Sequence, residues 1–444
     1  MPSADTGEER GETWRNWLAW WILGLTNNVG YVVFLSAAEA LIAGGAGIVL
    51  AADILPVLLI KPTAPFWAHY LPYSTRYALC ALFSVASFLL TALFEPVEVK
   101  LLGVVCAAIA AGWGEVTSLG MLAFYKESAV TAWSSGTGMA GVAGAGFFLF
   151  LSTVLGLSNK TTLLIGLVFP VMYALAYFVG LGPATSSPGA SRAGSEAGEA
   201  PEALDGGGSV AGLSLRDMDV EPCDEAAEEG GTRAAEAEGL RLMGRRAAEQ
   251  PPSGPAGLES SDATKSMSFW QRLTAARGLL PVMAALFIVY FAEYTISTGV
   301  AGTLSFPEDK LPKKAFYERA QLTYQVGVFL SRSSGQLVPI DTLWPMPVLQ
   351  TLNLVVFIVQ ACTQMISSSW ALLALVFFEG LLGGAVYVNA FRKLRAQSPP
   401  ELREFYMGAA SVADTAGISV SSGVSAWLEP FLDHLRATRG LPTA

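Results

Sequence analysis

The chain has 444 residues, 52% of them hydrophobic and 14% charged, with a mean hydropathy of +0.45; about 25% charged is usual for a soluble protein. That balance excludes an ordinary soluble domain and points to a polytopic membrane protein. The formal net charge of −10 is concentrated in residues 183–268, which hold 16 Asp and Glu against 7 Lys and Arg, so the remainder is nearly neutral and offers no basic surface for nucleic acid.

Residues 1–13 are polar and acidic and lack the basic start of a signal peptide, so the first apolar helix is expected to act as an uncleaved signal anchor. Apolar spans of roughly 20 residues then predict helices over 14–38, 42–61, 73–94, 99–124, 132–157 and 161–182. A second series is predicted over 277–304, 317–338, 345–366, 369–393 and 402–428. The expected organisation is a polar tail (1–13), a six-helix bundle (14–182), a linker (183–268), a five-helix bundle (269–428) and a C-terminal tail (429–444). The linker has no Phe, Trp or Tyr and is dominated by Ala, Gly, Glu, Ser and Pro. It cannot bury enough apolar area to offset the entropy of ordering and reads as a disordered tether that could reach cytosolic partners.

Lys and Arg in short loops set orientation. Lys61 and Arg76 after the second helix, Arg392, Lys393, Arg395 and Arg403 around the tenth–eleventh connection, and Lys265, Arg272 and Arg277 at the linker's end all fall on one side. That side is expected to be cytosolic, together with the N-terminus and linker. Lys310, Lys313, Lys314 and Arg319 run against the rule. The sequon at Asn159 falls on the opposite, lumenal side, close to the membrane, as a candidate for glycosylation.

Gly136-Thr137-Gly138-Met139-Ala140-Gly141 matches a dinucleotide fingerprint, but no strand precedes it and no βαβ unit surrounds it. Gly136, Ala140 and Gly144 instead recur every four residues, a stripe that permits close helix approach, with Ser135 and Thr137 placed to line a cavity. Ionisable residues inside spans carry more information, each costing about 2.5–3.5 kcal/mol at a helix centre. Asp53, Glu115, Glu293, Arg332, Glu379 and Asp414 lie on six different helices and imply a shared polar interior. Glu115 on the fourth helix and Glu379 on the tenth are each followed by small residues, and Asn27 and Asn28 sit on the first helix about where Glu293 sits on the seventh. Repeated halves around a central polar site are a transporter architecture.

Enzyme signatures are absent: there is no GxxxxGK[ST], HExxH or GxSxG. His69 and His434 are far apart, and Cys80, Cys106, Cys223 and Cys362 show no metal-site spacing, so neither a metal nor a cofactor is expected.

Strings along the chain resemble a known family. They include Phe34-Leu35-Ser36-Ala37-Ala38, Ala52-Asp53-Ile54-Leu55-Pro56, Leu71-Pro72-Tyr73-Ser74, Gly114-Glu115-Val116-Thr117 and Trp133-Ser134-Ser135-Gly136. Further on come Tyr290-Phe291-Ala292-Glu293-Tyr294, the run from Gln325 to Ser334, Glu379-Gly380-Leu381-Leu382-Gly383-Gly384, Tyr387-Val388-Asn389 and Asp414-Thr415-Ala416-Gly417. In this order they are similar to the battenin family of lysosomal membrane proteins. The resemblance implies an all-α, major-facilitator-like fold of about 11 transmembrane helices in two pseudo-repeated bundles (6 + 5) around a central cavity. It implies an endolysosomal or vacuolar membrane and export of small metabolites, glycerophosphodiesters foremost. Basic amino acid transport, vacuolar pH homeostasis and a non-transporting scaffold role in trafficking are the alternatives. The first lumenal loop is short here, and the chain ends Leu441-Pro442-Thr443-Ala444 without a prenylation-type cysteine box, so no lipid anchor is expected.

The expected ligand is a small anionic or zwitterionic metabolite, with membrane lipid around the bundle. Arg332 is the expected anion-binding residue, since a guanidinium stays charged and holds phosphate bidentately. Glu293, Glu115, Asn27, Asn28, Tyr294, Tyr387, Asn389, Ser135 and Thr137 complete the expected substrate site. Glu379 and Asp414 are expected to orient helices. Because burial disfavours the charged form of a carboxylate, Glu293, Glu115, Glu379, Asp414 and Asp53 are the candidates for proton coupling, Glu293 first.

Overall fold

The computed structural model describes residues 5–37, 46–184, 260, 265–306, 309 and 313–441. Residues 1–184 and 254–444 form one compact unit. Most of the expected linker lies outside the described residues.

The N-terminal half contains α1 (Asp5–Ser36), α2 (Ala46–Trp67), α3 (Tyr73–Leu93), α4 (Val97–Leu122), α5 (Glu127–Leu149) and α6 (Asn159–Gly180). The C-terminal half contains α7 (Phe269–Thr303), α8 (Lys313–Ser333), α9 (Pro345–Thr363), α10 (Ser369–Gln397), α11 (Pro400–Ala410) and α12 (Val412–Thr438). Among the described residues, seven helices are long and apolar enough to cross a membrane: α3, α4, α5, α6, α7, α9 and α10. The others are helical but more polar, or border undescribed residues.

Local chemistry sets the ends. Ser158 caps α6 by accepting from Thr161 N at 3.1 Å. Ser268 and Gln271 form a reciprocal capping box at the start of α7. Pro345 and Pro400 occupy first turns, where the missing N–H costs nothing. Gln364 ends α9 in the left-handed region, φ 52°, and its side-chain amide donates to Ser305 O at 2.8 Å.

Several boundaries differ from those expected. α1 begins at Asp5, so most of the expected polar tail is helical. α2 continues through Pro62 and Pro65 to Trp67, which places Lys61 inside a helix rather than in a loop. α7 starts at Phe269, with a 3-10 turn at Arg277–Leu279 where the helix was expected to begin. α8 spans Lys313–Ser333, shifted towards the N-terminus of its expected range. The expected eleventh helix is broken at Ser411 and continues as α12 to Thr438, taking in much of the expected C-terminal tail.

The halves repeat one packing scheme. α1 packs on α5 as α7 packs on α12, and α2 on α4 as α8 on α10. Small residues make these approaches possible. A Cβ at Gly136 would run into the Trp21 carbonyl and the Leu25 amide of α1, and one at Gly24 into the Trp133 carbonyl of α5. Gly327 and Gly380 meet in the same way between α8 and α10. The GxGxxG string is therefore a packing face. Gly136→Leu is expected to destabilise the protein by about 3 kcal/mol or more. Gly146→Leu, at a position with nothing within 4 Å of a Cβ, is expected to be tolerated. Thermal unfolding in detergent distinguishes the two.

Candidate functional site

α7 loosens in its middle. Immediately after Glu293 and Tyr294 it becomes π-helical over Thr295–Val300, a departure that recurs at functional sites. Threonine hydroxyls take up the disturbed carbonyls: Thr295 Oγ1 donates to Phe291 O at 2.6 Å and Thr298 Oγ1 to Tyr294 O at 2.7 Å. The same hydroxyls meet Ser421 and Ser425 of α12 at 3.1 and 2.9 Å. The last α-helical turn of this segment thereby presents Tyr290, Glu293 and Tyr294 to the rest of the bundle.

Arg332, near the end of α8, reaches across the halves. Nη1 donates to Thr137 Oγ1 of α5 at 2.6 Å and Nη2 to Tyr290 OH at 2.8 Å. The guanidinium lies 4.1 Å from the centre of the Tyr387 ring, a cation–π contact. Its Nε is buried without a partner. Among the described residues no carboxylate lies within ion-pair distance of Arg332. Thr137 and Tyr387 thus lie beside Arg332. Ser135 joins Ser333 at 2.8 Å one turn away and accepts from Trp21 Nε1 at 3.1 Å.

The second cluster was not anticipated. Lys61 Nζ, almost fully buried, lies 2.7 Å from Glu115 Oε2 and 3.1 Å from Asp414 Oδ1. Asp414 also accepts from Thr415 N at 2.5 Å. Asp414, expected to orient helices, is thus the C-terminal half's share of a buried charge triad. Tyr387 OH donates to Glu115 Oε1 at 2.8 Å and accepts from Trp133 Nε1 at 3.3 Å. Tyr387 therefore links the triad through its hydroxyl to the Arg332 site through its ring. Asn27 lies nearby, donating to Asn28 Oδ1 at 2.9 Å and Ala111 O at 3.1 Å.

Glu293 accepts from Tyr324 OH through Oε1, while its Oε2 is buried without a partner. Other expected site residues lie elsewhere. Asn389 accepts from Ile340 N at 2.9 Å and from Arg392 at 3.1 Å, anchoring the segment after α8 rather than reaching the centre. Asp53 is buried on α2, and its charge bears on Tyr31 of α1. Asn159 is exposed at the start of α6.

Polar contacts between the halves gather at the centre and at the end carrying the α2–α3 connection. There Tyr73 OH donates to Glu404 at 2.8 Å, Arg392 Nε to Glu127 at 2.6 Å and Arg395 Nε to Tyr125 O at 2.5 Å. Arg272 donates to Pro65 O at 3.0 Å and contacts His69 Nε2 at 3.2 Å. Arg76, counted with the loop cations although it falls within the helix expected over 73–94, is buried in the first turn of α3.

His69 titrates low, at about 4, because burial and then the charges of Arg272, Arg76 and Lys265 oppose its protonation. It is neutral at neutral pH, with Nε2 accepting from Arg272. Since this value lies below the ordinary imidazole value of about 6.5, the contact is at full strength above that pH and weakens as pH falls towards the folded value. Acidifying this face is expected to lower hydrogen-exchange protection around residues 65–72 in the native protein. A His69→Gln variant should show no such step.

A family model described as CLN3 protein matches residues 18–435. The chain belongs to this family. It is 38% identical to Protein btn1 of Aspergillus fumigatus, over 95% of this chain and 89% of that protein. It is 35% identical to battenin of Canis lupus familiaris, over 98% of this chain and 95% of that one. Among solved structures it is similar to a Major Facilitator Superfamily transporter, FucP, in the outward conformation. The TM-score is 0.53 at 14% identity, covering 93% of this chain and 91% of that chain. The described residues therefore form an all-α, major-facilitator-like fold, and the protein is a multi-pass membrane protein.

Proposed function

We propose that this protein is a secondary transporter of the endolysosomal or vacuolar membrane, exporting small anionic or zwitterionic metabolites from the lumen, glycerophosphodiesters first among them, with sensitivity to the pH gradient. The observation that carries the reading is Arg332: a buried guanidinium whose partners are two hydroxyls and an aromatic face, with no carboxylate among the described residues paired to it. A phosphodiester would supply the missing negative charge, and Arg332 could hold it through a planar fork. Thr137 and Tyr290, now accepting from the guanidinium, would aim it. Glu115, Tyr387, Asn27, Asn28 and Tyr294 would supply the surrounding polar contacts.

Contacts at the α2–α3 end support a state closed on the side we assign to the cytosol, with the N-terminus and linker there. Alternating access would break Arg392–Glu127, Tyr73–Glu404 and Arg272–His69 together. The test is uptake of a radiolabelled glycerophosphodiester by vesicles containing the purified protein. Saturable uptake, competed by other glycerophosphodiesters, is expected. Uptake equal to that of protein-free vesicles would overturn the reading.

A further inference from the structure

Besides Asp53, Arg76, Arg272, Glu404 and Arg436, the buried charges of the described residues fall into two groups. Lys61 pairs with both Glu115 and Asp414, and Tyr387 links this triad to Arg332. Glu293 and Glu379 are left over. Each is 1% exposed, and each has a buried oxygen without a hydrogen-bond partner, Oε2 of Glu293 and Oε1 of Glu379. Among the described residues neither pairs with a Lys, Arg or His.

The repeat sharpens the contrast. Glu115 on α4 has its cation, Lys61, on the neighbouring α2. Glu379 holds the equivalent place on α10, against α8, and the charge that bears on it is that of Glu293. Glu293 in turn lies against α10: a Cβ at Gly383 would collide with its Oε2. Glu379 and Gly383 are four residues apart and share one helix face, so the bare backbone at Gly383 brings Glu293 onto the face that carries Glu379. The other titratable or charged groups around the pair are Tyr324 and Arg332 of α8 and Tyr290 and Tyr294 of α7. Of these only Arg332 is a cation, and its guanidinium is directed to Thr137 and Tyr290.

Two buried carboxylates that bear on each other, with no cation paired to either, cannot both stay ionised. The cheapest neutralising species is a proton, which also turns one of them into a donor. We propose that Glu293 and Glu379 together hold the proton that is moved with substrate, at a site in the C-terminal half separate from the anion-binding guanidinium. A carboxylate oxygen of the pair takes up the proton from the side to which the site is open and returns it on the other side, with no other bond made or broken. This assignment rests on the transporter reading, but the proton site has a readout of its own.

Infrared titration of the purified native protein is expected to show the carbonyl band of a buried protonated carboxyl group near neutral pH. Glu379→Gln should lose it, and so should Glu293→Gln, which keeps the question open to an answer if one variant fails to fold. In vesicles held at zero membrane potential, one coupled proton lets a gradient of one pH unit support about tenfold substrate accumulation. Glu379→Gln is expected to lose that accumulation. A native protein without the band, a band unaffected by either substitution, or saturable uptake indifferent to a proton gradient each overturns the proposal. Accumulation driven by a sodium gradient instead would also overturn it. Absence of any uptake while the band and its loss are seen would overturn the transporter reading and the coupling role, and leave the carboxyl pair as a proton site.

Discussion

Arg332→Lys is expected to reduce uptake of a phosphate-bearing substrate roughly a hundredfold, equivalent to losing one or two charge-assisted hydrogen bonds of about 1.5–3 kcal/mol each. The substitution keeps the charge, so the electrostatic balance of the bundle survives. What it removes is the planar fork. Arg332 donates to Thr137 on one half and Tyr290 on the other while stacking on Tyr387. An ammonium on a flexible stem cannot do all three and still offer a second donor to a phosphate oxygen. Uptake by reconstituted vesicles, read beside the thermal unfolding of the same preparation, separates the two effects. Folded Arg332→Lys protein with native uptake would show that Arg332 serves only to hold α5 and α7 together.

The fold was legible because its signals are local. Apolar length marks the spans, and the four-residue recurrence of Gly136, Ala140 and Gly144 marks a face that does approach α1 closely. The isolated charge of Arg332 in a span was also legible, because such a residue is costly wherever it is not used. What was lost is pairing. Lys61 and Asp414 are 353 residues apart, and nothing in either neighbourhood names the other. Lys61 was further hidden by its place as the last residue of the helix expected over 42–61. In a membrane bundle neighbouring groups can satisfy the carbonyls that prolines free, and in the last turn of α2 Arg272 binds the Pro65 carbonyl, left open by the helix end.

The loop cations carried a second meaning that a count of positive charge cannot reveal. Arg392 and Arg395 mark a side by the rule used for orientation, yet in the structure they tie α10 to Glu127 and Tyr125 of the other half. Asn389 was expected in the site together with Tyr387, two residues before it. Two residues along a helix turn a side chain by about 200°, and Asn389 accordingly meets the segment at Ile340 instead.

Lys61→Met is expected to destabilise the protein by about 3–5 kcal/mol, the range for removing one partner of a buried ion pair. Methionine fills nearly the same volume and suits the apolar run from Leu58 to Ile60, so packing loss contributes little. The cost comes from Glu115 and Asp414, which share one ammonium at 2.7 and 3.1 Å and would be left facing each other without it. Glu115 would retain Tyr387 and Asp414 would retain Thr415 as donors, too little to hold two charges in a dry interior. Neutralising an acid should therefore repair the variant. Lys61→Met with Asp414→Asn is expected to recover more than half of the lost stability, and the sum of the single effects should exceed the double effect by at least about 1 kcal/mol. Thermal and denaturant unfolding of the four proteins in one detergent closes the cycle. Additive effects would mean that Lys61 and Asp414 do not share a charge network. The repaired protein should nevertheless transport poorly, because the triad joins α2 and α4 to α12 across the two halves and its exchange of partners is one way for the halves to rock. Recovery of stability without recovery of uptake would assign the Lys61–Asp414 pair to the motion as well as to the fold.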